Sequence, residues 1–332
     1  MMRVRQFLGR AFTTAILMIS LACTRGEKQP SEVTLRQEWF PNSNYAGALF
    51  ASREFAKKHN LVLKVVAGSD QIDPVAQVIS GHDMFGDASA DKVLLANQRG
   101  ANLVIIGVVS LNSPTVFLSK AEKRIRTPKD FEGRRVGVLS GTNTEYVYRT
   151  LVNKLRLDKR RIKEVEAPFD LTSFVVSDAY DVRPAFIYDE PVSLDLKGIR
   201  YTLIEPKNYG ISFIGTVYFT KRETIEKHRQ MVQDFVSAVT DGWRAAIRYQ
   251  EDAIRLLKEY DKNIDSNREL LSLKKGEPYF RGKAGRILWA DTEDWEEMVG
   301  ALKNLRVLKN DFQVSASLDN SFLQTYYATE GK

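Results

Sequence analysis

The stretch "DMFGDASADKVLLANQRGANLVIIGVV", Asp83 to Val109, decides the fold. It begins with a short strand-like run, continues as a helical pattern that ends at Gly100, and finishes in a run of almost entirely apolar residues. Such an apolar run after a helix is typical of a buried strand. The stretch therefore predicts a unit of strand, helix and strand, in which a mainly parallel sheet is covered by helices.

The same alternation continues on both sides of this stretch. Upstream, "VTLRQEW" and "LVLKVV" are strand-like, and "NYAGALFASREFAKKHN" and "DPVAQVIS" are helical. A break at "SLNSPTVFLSKAEKRIRTPKDFEG" follows, after which the alternation starts again at "RRVGVLS" and leads into a long helical region. The pattern predicts an α/β protein with two lobes, the first formed by residues 33–113 and 220–332 and the second by residues 114–219.

The N-terminus has the features of an export signal. Arg3, Arg5 and Arg10 precede an uncharged apolar run from Ala11 to Ala22, which is too short to span a membrane. The run ends in small residues before Cys23, and in this it resembles a bacterial lipoprotein signal. We expect residues 1–22 to be removed, Cys23 to carry the lipid and residues 23–32 to form a tether. The alternative is an ordinary signal peptide with an incidental cysteine.

Export would change the charge and the chemistry available to the chain. Removing three arginines and no acidic residue lowers the formal net charge from +7 to +4, so nucleic-acid binding loses its main support. Cys23 is the only cysteine, which leaves the mature protein no disulfide and no thiolate metal site. We expect an extracytoplasmic protein that is anchored to a bacterial membrane.

Polar and aromatic side chains follow the predicted strands at their carboxyl ends, where open α/β sheets bind ligands. The candidate ligand-binding residues are Trp39, Asn44, Tyr45, Ser69, Ser89, Asn112, Thr142, Tyr188, Glu190 and Tyr209. Trp39 alone could equally belong to the core, and the asparagines of "PNSN" are natural helix caps. Their clustering at corresponding strand ends favours a cleft for a flat, polar, uncharged or cationic heterocycle.

Signals of catalysis are weak in this sequence. It contains no G-x-S-x-G elbow, no phosphate-binding loop and no dinucleotide fingerprint. His59, His82 and His228 have no metal-ligand spacing. We therefore predict no catalytic residue, no metal site and no cofactor, and expect a binding protein.

Five segments together carry a family resemblance. They are "WFPNSNYAG", "DPVAQVISGHDMFGDASADKVLLA", "TPKDFEGRRVGVLSGTNTEYVY", "DEPVSLDLKG" and "NYGISFIGTVYFT". In them the chain resembles solute-binding proteins of ABC importers in the thiamine-pyrimidine, nitrate, sulfonate and taurine group. The resemblance implies a type II periplasmic-binding fold with a hinged cleft, a monomer, and an ABC permease and ATPase as partners.

The elements "WFPN" and "DEP" resemble most closely the branch that binds thiamine pyrimidine precursors, of the hydroxymethylpyrimidine or formylaminopyrimidine type. By this resemblance Trp39, Asn44 and Tyr45 belong to the pocket and Glu190 faces the ligand from the other lobe. A histidine is common in this branch where the chain has Tyr45.

Several alternatives to a thiamine-precursor importer stay open. The same fold could bind riboflavin, another flat heterocycle or a sulfonate. The chain could also be a ligand sensor that docks on a membrane receptor. A pyrimidine-synthase-like enzyme is a further alternative, although such enzymes carry a cysteine-rich motif and this chain keeps no cysteine after export.

Overall fold

Two β-sheets with the same strand order form the two halves of the molecule. The computed structural model describes residues 29–329, so the predicted signal peptide, Cys23 and most of the predicted tether lie outside the described residues. No helix between residues 29 and 329 combines the length and the apolar character that crossing a membrane requires.

The strands are β1 (Ser31–Arg36), β2 (Leu61–Val66), β3 (Phe85–Ser89), β4 (Leu103–Val108), β5 (Thr115–Lys120), β6 (Arg135–Val138), β7 (Lys163–Glu166), β8 (Arg183–Phe186), β9 (Tyr201–Ile204) and β10 (Thr216–Lys221). The helices are α1 (Ala46–Phe50), α2 (Pro74–Ser80), α3 (Ala90–Gln98), α4 (Asn143–Lys154), α5 (Thr172–Val176), α6 (Glu190–Leu196), α7 (Arg222–Arg248), α8 (Gln250–Tyr260), α9 (Ser266–Phe280), α10 (Glu296–Asn304) and α11 (Ser321–Thr329).

The first sheet has the strand order β2-β1-β3-β10-β4. Strands β1 and β2 are parallel, as are β1 and β3, whereas β10 runs antiparallel to both of its neighbours. The carboxyl ends of β1 to β4 therefore meet at one edge of the sheet. The βα alternation around Asp83–Val109 predicts this arrangement.

The second lobe repeats the order of the first. Strands β6 and β7 are parallel, and β5 lies antiparallel between β8 and β9. A parallel bridge between Val136 and Val182, directly before β8, joins these two groups of strands. The resulting order is β7-β6-β8-β5-β9, with one antiparallel strand in each lobe.

Two of the predicted boundaries shift in the structure. β10 begins at Thr216, which pairs with Ser89 in the first sheet, so a lobe boundary at residue 220 falls inside this strand. The second crossing between the lobes precedes it at Gly215, where a β-carbon would lie 2.7 Å from that of Ser110 on the first crossing. β1 begins at Ser31, which takes the last two residues of the predicted tether into the sheet.

Helix α1 approaches the long helix α7 very closely. A β-carbon added to Gly242 would lie 2.2 Å from the carbonyl oxygen of Gly47. One added to Gly47 would lie 2.2 Å from the indole of Trp243, which is fully buried and donates a 3.0 Å hydrogen bond from Nε1 to Tyr218. Glycine at both positions allows this packing, since any larger residue would separate the helices.

We therefore expect Gly242→Ala to lower the free energy of unfolding by about 2 kcal/mol, because overpacking of a closely packed core typically costs about 1–3 kcal/mol. Urea unfolding of the purified protein measures this change.

Gly300→Ala is the matched control, because Gly300 also lies in a helix and a β-carbon there would meet no atom within 4 Å. Alanine should stabilise that helix by roughly 0.5–1 kcal/mol. Equal shifts in the same direction for both variants would contradict the close approach of α1 and α7.

Candidate ligand-binding site

A cavity of about 470 Å³ lies between the lobes, at the edges where the strands of both sheets end. Eight of the ten predicted residues line it: Trp39, Asn44, Tyr45 and Ser69 after β1 and β2, Ser89 at the end of β3, and Thr142, Tyr188 and Glu190 from the second lobe. The structure therefore brings together side chains that are up to 151 positions apart in the sequence, as the strand-end argument expects.

Asn112 and Tyr209 do not line this cavity. Asn112 lies exposed on the first crossing between the lobes, where its side-chain oxygen accepts a 3.1 Å hydrogen bond from Ser212 on the second crossing. Tyr209 follows β9, which is an edge strand, and its ring packs against the hydrophobic core. The strand-end prediction is wrong for Tyr209 because this residue comes five positions beyond the end of β9, at the end of a 3₁₀ turn (Pro206–Tyr209), and contacts the core instead of the cleft.

The turn after β1 is held by hydrogen bonds to its backbone. The amide of Glu38 donates to the buried Asp87 carboxylate over 2.8 Å, and the amide of Trp39 donates to the Tyr45 hydroxyl over 2.7 Å. The amide of Ser43 donates over 2.7 Å to Glu269 of α9. Tyr45 therefore supports the turn as well as lining the cleft, and this support fixes where Trp39 lies.

The asparagine predicted to cap a helix does so in the structure. The side-chain oxygen of Asn42 accepts a 2.8 Å hydrogen bond from the amide of Asn44 and starts a short 3₁₀ turn. That turn leads into α1, and a π-helical turn at Ala51–Phe55 follows. The predicted single helix is thus a succession of helical turns of different pitch, which end at Asn60 in the left-handed conformation.

An aromatic contact connects the two lobes at the mouth of the cleft. The rings of Trp39 in the first lobe and Phe169 in the second have centroids 5.3 Å apart, with an interplanar angle of 47°. Phe169 is 56% exposed. Phe169 is not among the predicted residues, although it follows the end of β7 as closely as Trp39 follows the end of β1.

Glu190 already has protein partners. One carboxylate oxygen pairs with Nη2 of the fully buried Arg183 at 3.1 Å, and the other accepts a 2.8 Å hydrogen bond from the amide of Phe186. Burial and the neighbouring Asp189 raise the pKa of Glu190, while the Arg183 guanidinium opposes that shift. A carboxylate oxygen has two lone pairs, so each can still accept a further hydrogen bond from the cleft.

A hydrogen bond between two buried side chains joins the lobes. Nδ2 of Asn143, at the start of α4, donates to Asp91 of α3 over 2.9 Å. The side-chain oxygen of Asn143 accepts a 2.9 Å hydrogen bond from Ser113 on the first crossing. Burial raises the pKa of Asp91 from its usual 3.8 to about 6, although the hydrogen bond from Asn143 opposes this shift.

Acidic side chains dominate the charge of the cleft lining. Five carboxylates line it, those of Glu38, Asp70, Asp73, Asp189 and Glu190. Within residues 29–329, Lys92 is the one lysine or arginine that lines it. No group of three or more histidine, aspartate or glutamate side chains in this part of the chain is arranged to hold a metal ion. The cleft can therefore accept many hydrogen bonds and attract positive charge, but it offers little to an anion.

Comparison with known proteins identifies a family. The family model described as "NMT1/THI5 like" matches residues 42–253, which is more than half of the chain. Comparison with curated protein sequences finds no match.

Solved structures share the fold at low sequence identity. The periplasmic sulfonate-binding protein SsuA of a putative sulfonate ABC transporter from Methylobacillus flagellatus superposes with a TM-score of 0.71, at 12% identity over 92% of this chain and 96% of that one. The alkanesulfonate-binding protein SsuA from Xanthomonas axonopodis pv. citri, bound to MOPS, gives 0.67 at 15% identity over 89% and 100%. The desulfurization enzyme DszB gives 0.62 at 15% identity over 90% and 99%. The predicted periplasmic-binding fold is thereby confirmed.

Asp91→Asn tests the buried carboxyl between the lobes. Because the pKa of Asp91 is raised on folding, the folded chain binds more protons than the unfolded chain between about pH 4 and 6. The stability of the parent protein therefore falls as the pH rises through this window, and asparagine removes that loss. We expect the free energy of unfolding of Asp91→Asn, relative to the parent, to rise by about 2 kcal/mol from pH 4.5 to pH 7.5.

Urea unfolding at both pH values measures this difference. Asp130→Asn is the control, because hydrogen bonds from the amides of Arg126 and Thr127 lower the pKa of Asp130 and place its titration below this window. Its stability relative to the parent should be the same at both pH values. A flat profile for Asp91→Asn would mean that Asp91 is ionised throughout.

Proposed function

The chain belongs to the NMT1/THI5-like family, and from this premise we propose that it is the extracytoplasmic substrate-binding protein of an ABC importer. The observation that carries the proposal is the cleft between the lobes, which combines aromatic rings with an excess of carboxylates. Such a lining binds and orients a small molecule. In this proposal the protein has no catalytic activity and delivers its ligand to a membrane permease.

We propose a thiamine pyrimidine precursor as the ligand, of the hydroxymethylpyrimidine or formylaminopyrimidine type. An aminopyrimidine ring is flat and can stack on Trp39, which Phe169 of the second lobe also contacts. Its exocyclic amine can donate to Glu190, whose carboxylate oxygens each keep an unused lone pair.

The charge of the cleft argues against an anionic ligand. The two SsuA proteins described above bind sulfonates, but five carboxylates and one lysine line the present cleft. A sulfonate would meet net repulsion there, whereas a neutral or cationic ring would not. Riboflavin is neutral and flat, so the charge of the cleft does not argue against it, and it is the alternative ligand.

The enzyme DszB shares the fold, so the fold alone does not separate binding from catalysis. Two features of this chain favour binding. Within residues 29–329 no histidine lines the cleft, and His59 is paired with Asp241 at 2.7 Å. Among residues 29–329 no cysteine lines the cleft, and a cysteine-based mechanism would require one there.

We predict that Trp39→Ala weakens binding of hydroxymethylpyrimidine by at least tenfold, because the ligand loses a stacking surface and apolar contact. Tenfold corresponds to about 1.4 kcal/mol, which is within the range for a stacked aromatic pair with its buried area. Isothermal titration calorimetry measures the affinities, and ligand should quench tryptophan fluorescence in the parent.

Phe40→Ala is the matched control. Phe40 is adjacent to Trp39 and 50% exposed, but it does not line the cleft. Its removal should change the affinity less than threefold. If Trp39→Ala and Phe40→Ala bind the pyrimidine equally well, the proposed stacking is wrong, and a parent that binds riboflavin instead would replace the proposed ligand.

We also propose that Cys23 carries a lipid that keeps the protein near its permease. The arginine-rich start, the apolar run and the small residues before this cysteine support the proposal. Cys23→Ser should leave the membrane fraction when it is expressed with its own signal in a bacterial host. Recovery of the variant in the membrane fraction at the level of the parent would contradict lipidation at this position.

A further inference from the structure

Lys92 is the one basic residue of the cleft lining within residues 29–329, and it is already paired. It lies in the first turn of α3, with Nζ 2.6 Å from Oε1 of Glu38. Burial lowers the pKa of Lys92, but the carboxyl groups of Glu38, Asp73 and Asp91 together outweigh burial and raise it, with Glu38 contributing most, so the ammonium group is charged at neutral pH. An anionic ligand would need the positive charge of Lys92, but Lys92 is already paired with Glu38.

Two hydrogen bonds hold Glu38 in this position. Its second carboxylate oxygen, Oε2, accepts a 2.9 Å hydrogen bond from the amide of Ser89, directly before α3. Its own amide is bound to the carboxylate of Asp87, which is only 2% exposed. Both the backbone and the side chain of Glu38 are therefore fixed, and the carboxylate lies between Lys92 and the amide of Ser89.

An anion entering the cleft would have to displace this carboxylate or remain away from Lys92. Displacement would leave Glu38 without its partners in a lining that already contains four other carboxylates. A neutral or cationic ligand can bind without disturbing the pair. The Glu38–Lys92 pair therefore disfavours anionic ligands, because an anion that binds Lys92 must break the pair at a cost in binding free energy.

We propose that Glu38 is the specificity-determining residue that excludes anionic ligands from the cleft by neutralising Lys92. The inference rests on the proposed function only in that the cleft is the ligand-binding site. It predicts that removing the charge of Glu38 makes Lys92 available and creates affinity for a small anion.

Ethanesulfonate is a suitable probe, with ethyl methyl sulfone as a neutral analogue of similar shape. Glu38→Gln keeps a side-chain oxygen that can accept from the amide of Ser89 but removes the charge. By isothermal titration calorimetry, this variant should bind ethanesulfonate at least tenfold more tightly than the parent. Its affinity for the sulfone should change less than threefold.

The double variant Glu38→Gln/Lys92→Gln is the matched control and should lose the gained affinity for ethanesulfonate. Circular dichroism checks that each variant is folded. Glu38→Ser serves as a second variant with the same expected gain, should the glutamine variant be unstable.

The proposal is overturned if the parent binds ethanesulfonate as tightly as Glu38→Gln, if neither substitution of Glu38 creates affinity, or if the double variant keeps the gain. Titrating the parent with hydroxymethylpyrimidine separates this result from the proposed ligand. A parent that does not bind the pyrimidine, together with a gain of sulfonate binding in Glu38→Gln, would refute the ligand and support the role of Glu38.

Discussion

The close approach of α1 to α7 positions the turn that forms one side of the cleft. At Gly47 and Gly242 the two helices leave no room for a β-carbon, so the start of α1 is fixed against the longest helix of the first lobe. The turn that carries Trp39 ends directly before α1. Its position over the sheet is therefore determined by helix packing first, and the hydrogen bonds to Asp87 and Glu269 then fix its orientation.

Helix α9 links this turn to the second lobe. Glu269 accepts from the amide of Ser43 in the first lobe, and the neighbouring Arg268 pairs with Asp189 of the second. The hydroxyl of Ser272, one turn further along α9, donates to the carbonyl of Tyr188. The residues on the two sides of the cleft are thus attached to one helix, in addition to the two chain crossings. A change in the distance between the lobes has to alter these polar contacts.

The sequence predicts the fold well because its main signal is local. Alternation of strands and helices determines a parallel sheet, and the strand ends then identify Trp39, Ser69, Ser89 and Glu190 without knowledge of the tertiary structure. The strand-end prediction is wrong for Tyr209 because a 3₁₀ turn separates this residue from the end of β9, and the packing of its ring against the core is a tertiary contact that the local pattern does not contain. It does not find the Asn143–Asp91 hydrogen bond, since that contact joins residues 52 positions apart on different lobes.

The ion pairs around the cleft determine which chemical groups favour the binding of a ligand. Lys92 is paired with Glu38, Arg183 with Glu190, and Arg268 with Asp189. In each pair a cation is neutralised while its carboxylate still lines the cleft, where its remaining lone pairs can accept hydrogen bonds. The part of the cleft formed by residues 29–329 thus offers hydrogen-bond acceptors, and its one basic side chain, Lys92, is paired. The proposed pyrimidine ligand matches this lining, because it supplies hydrogen-bond donors and a flat face and carries no negative charge.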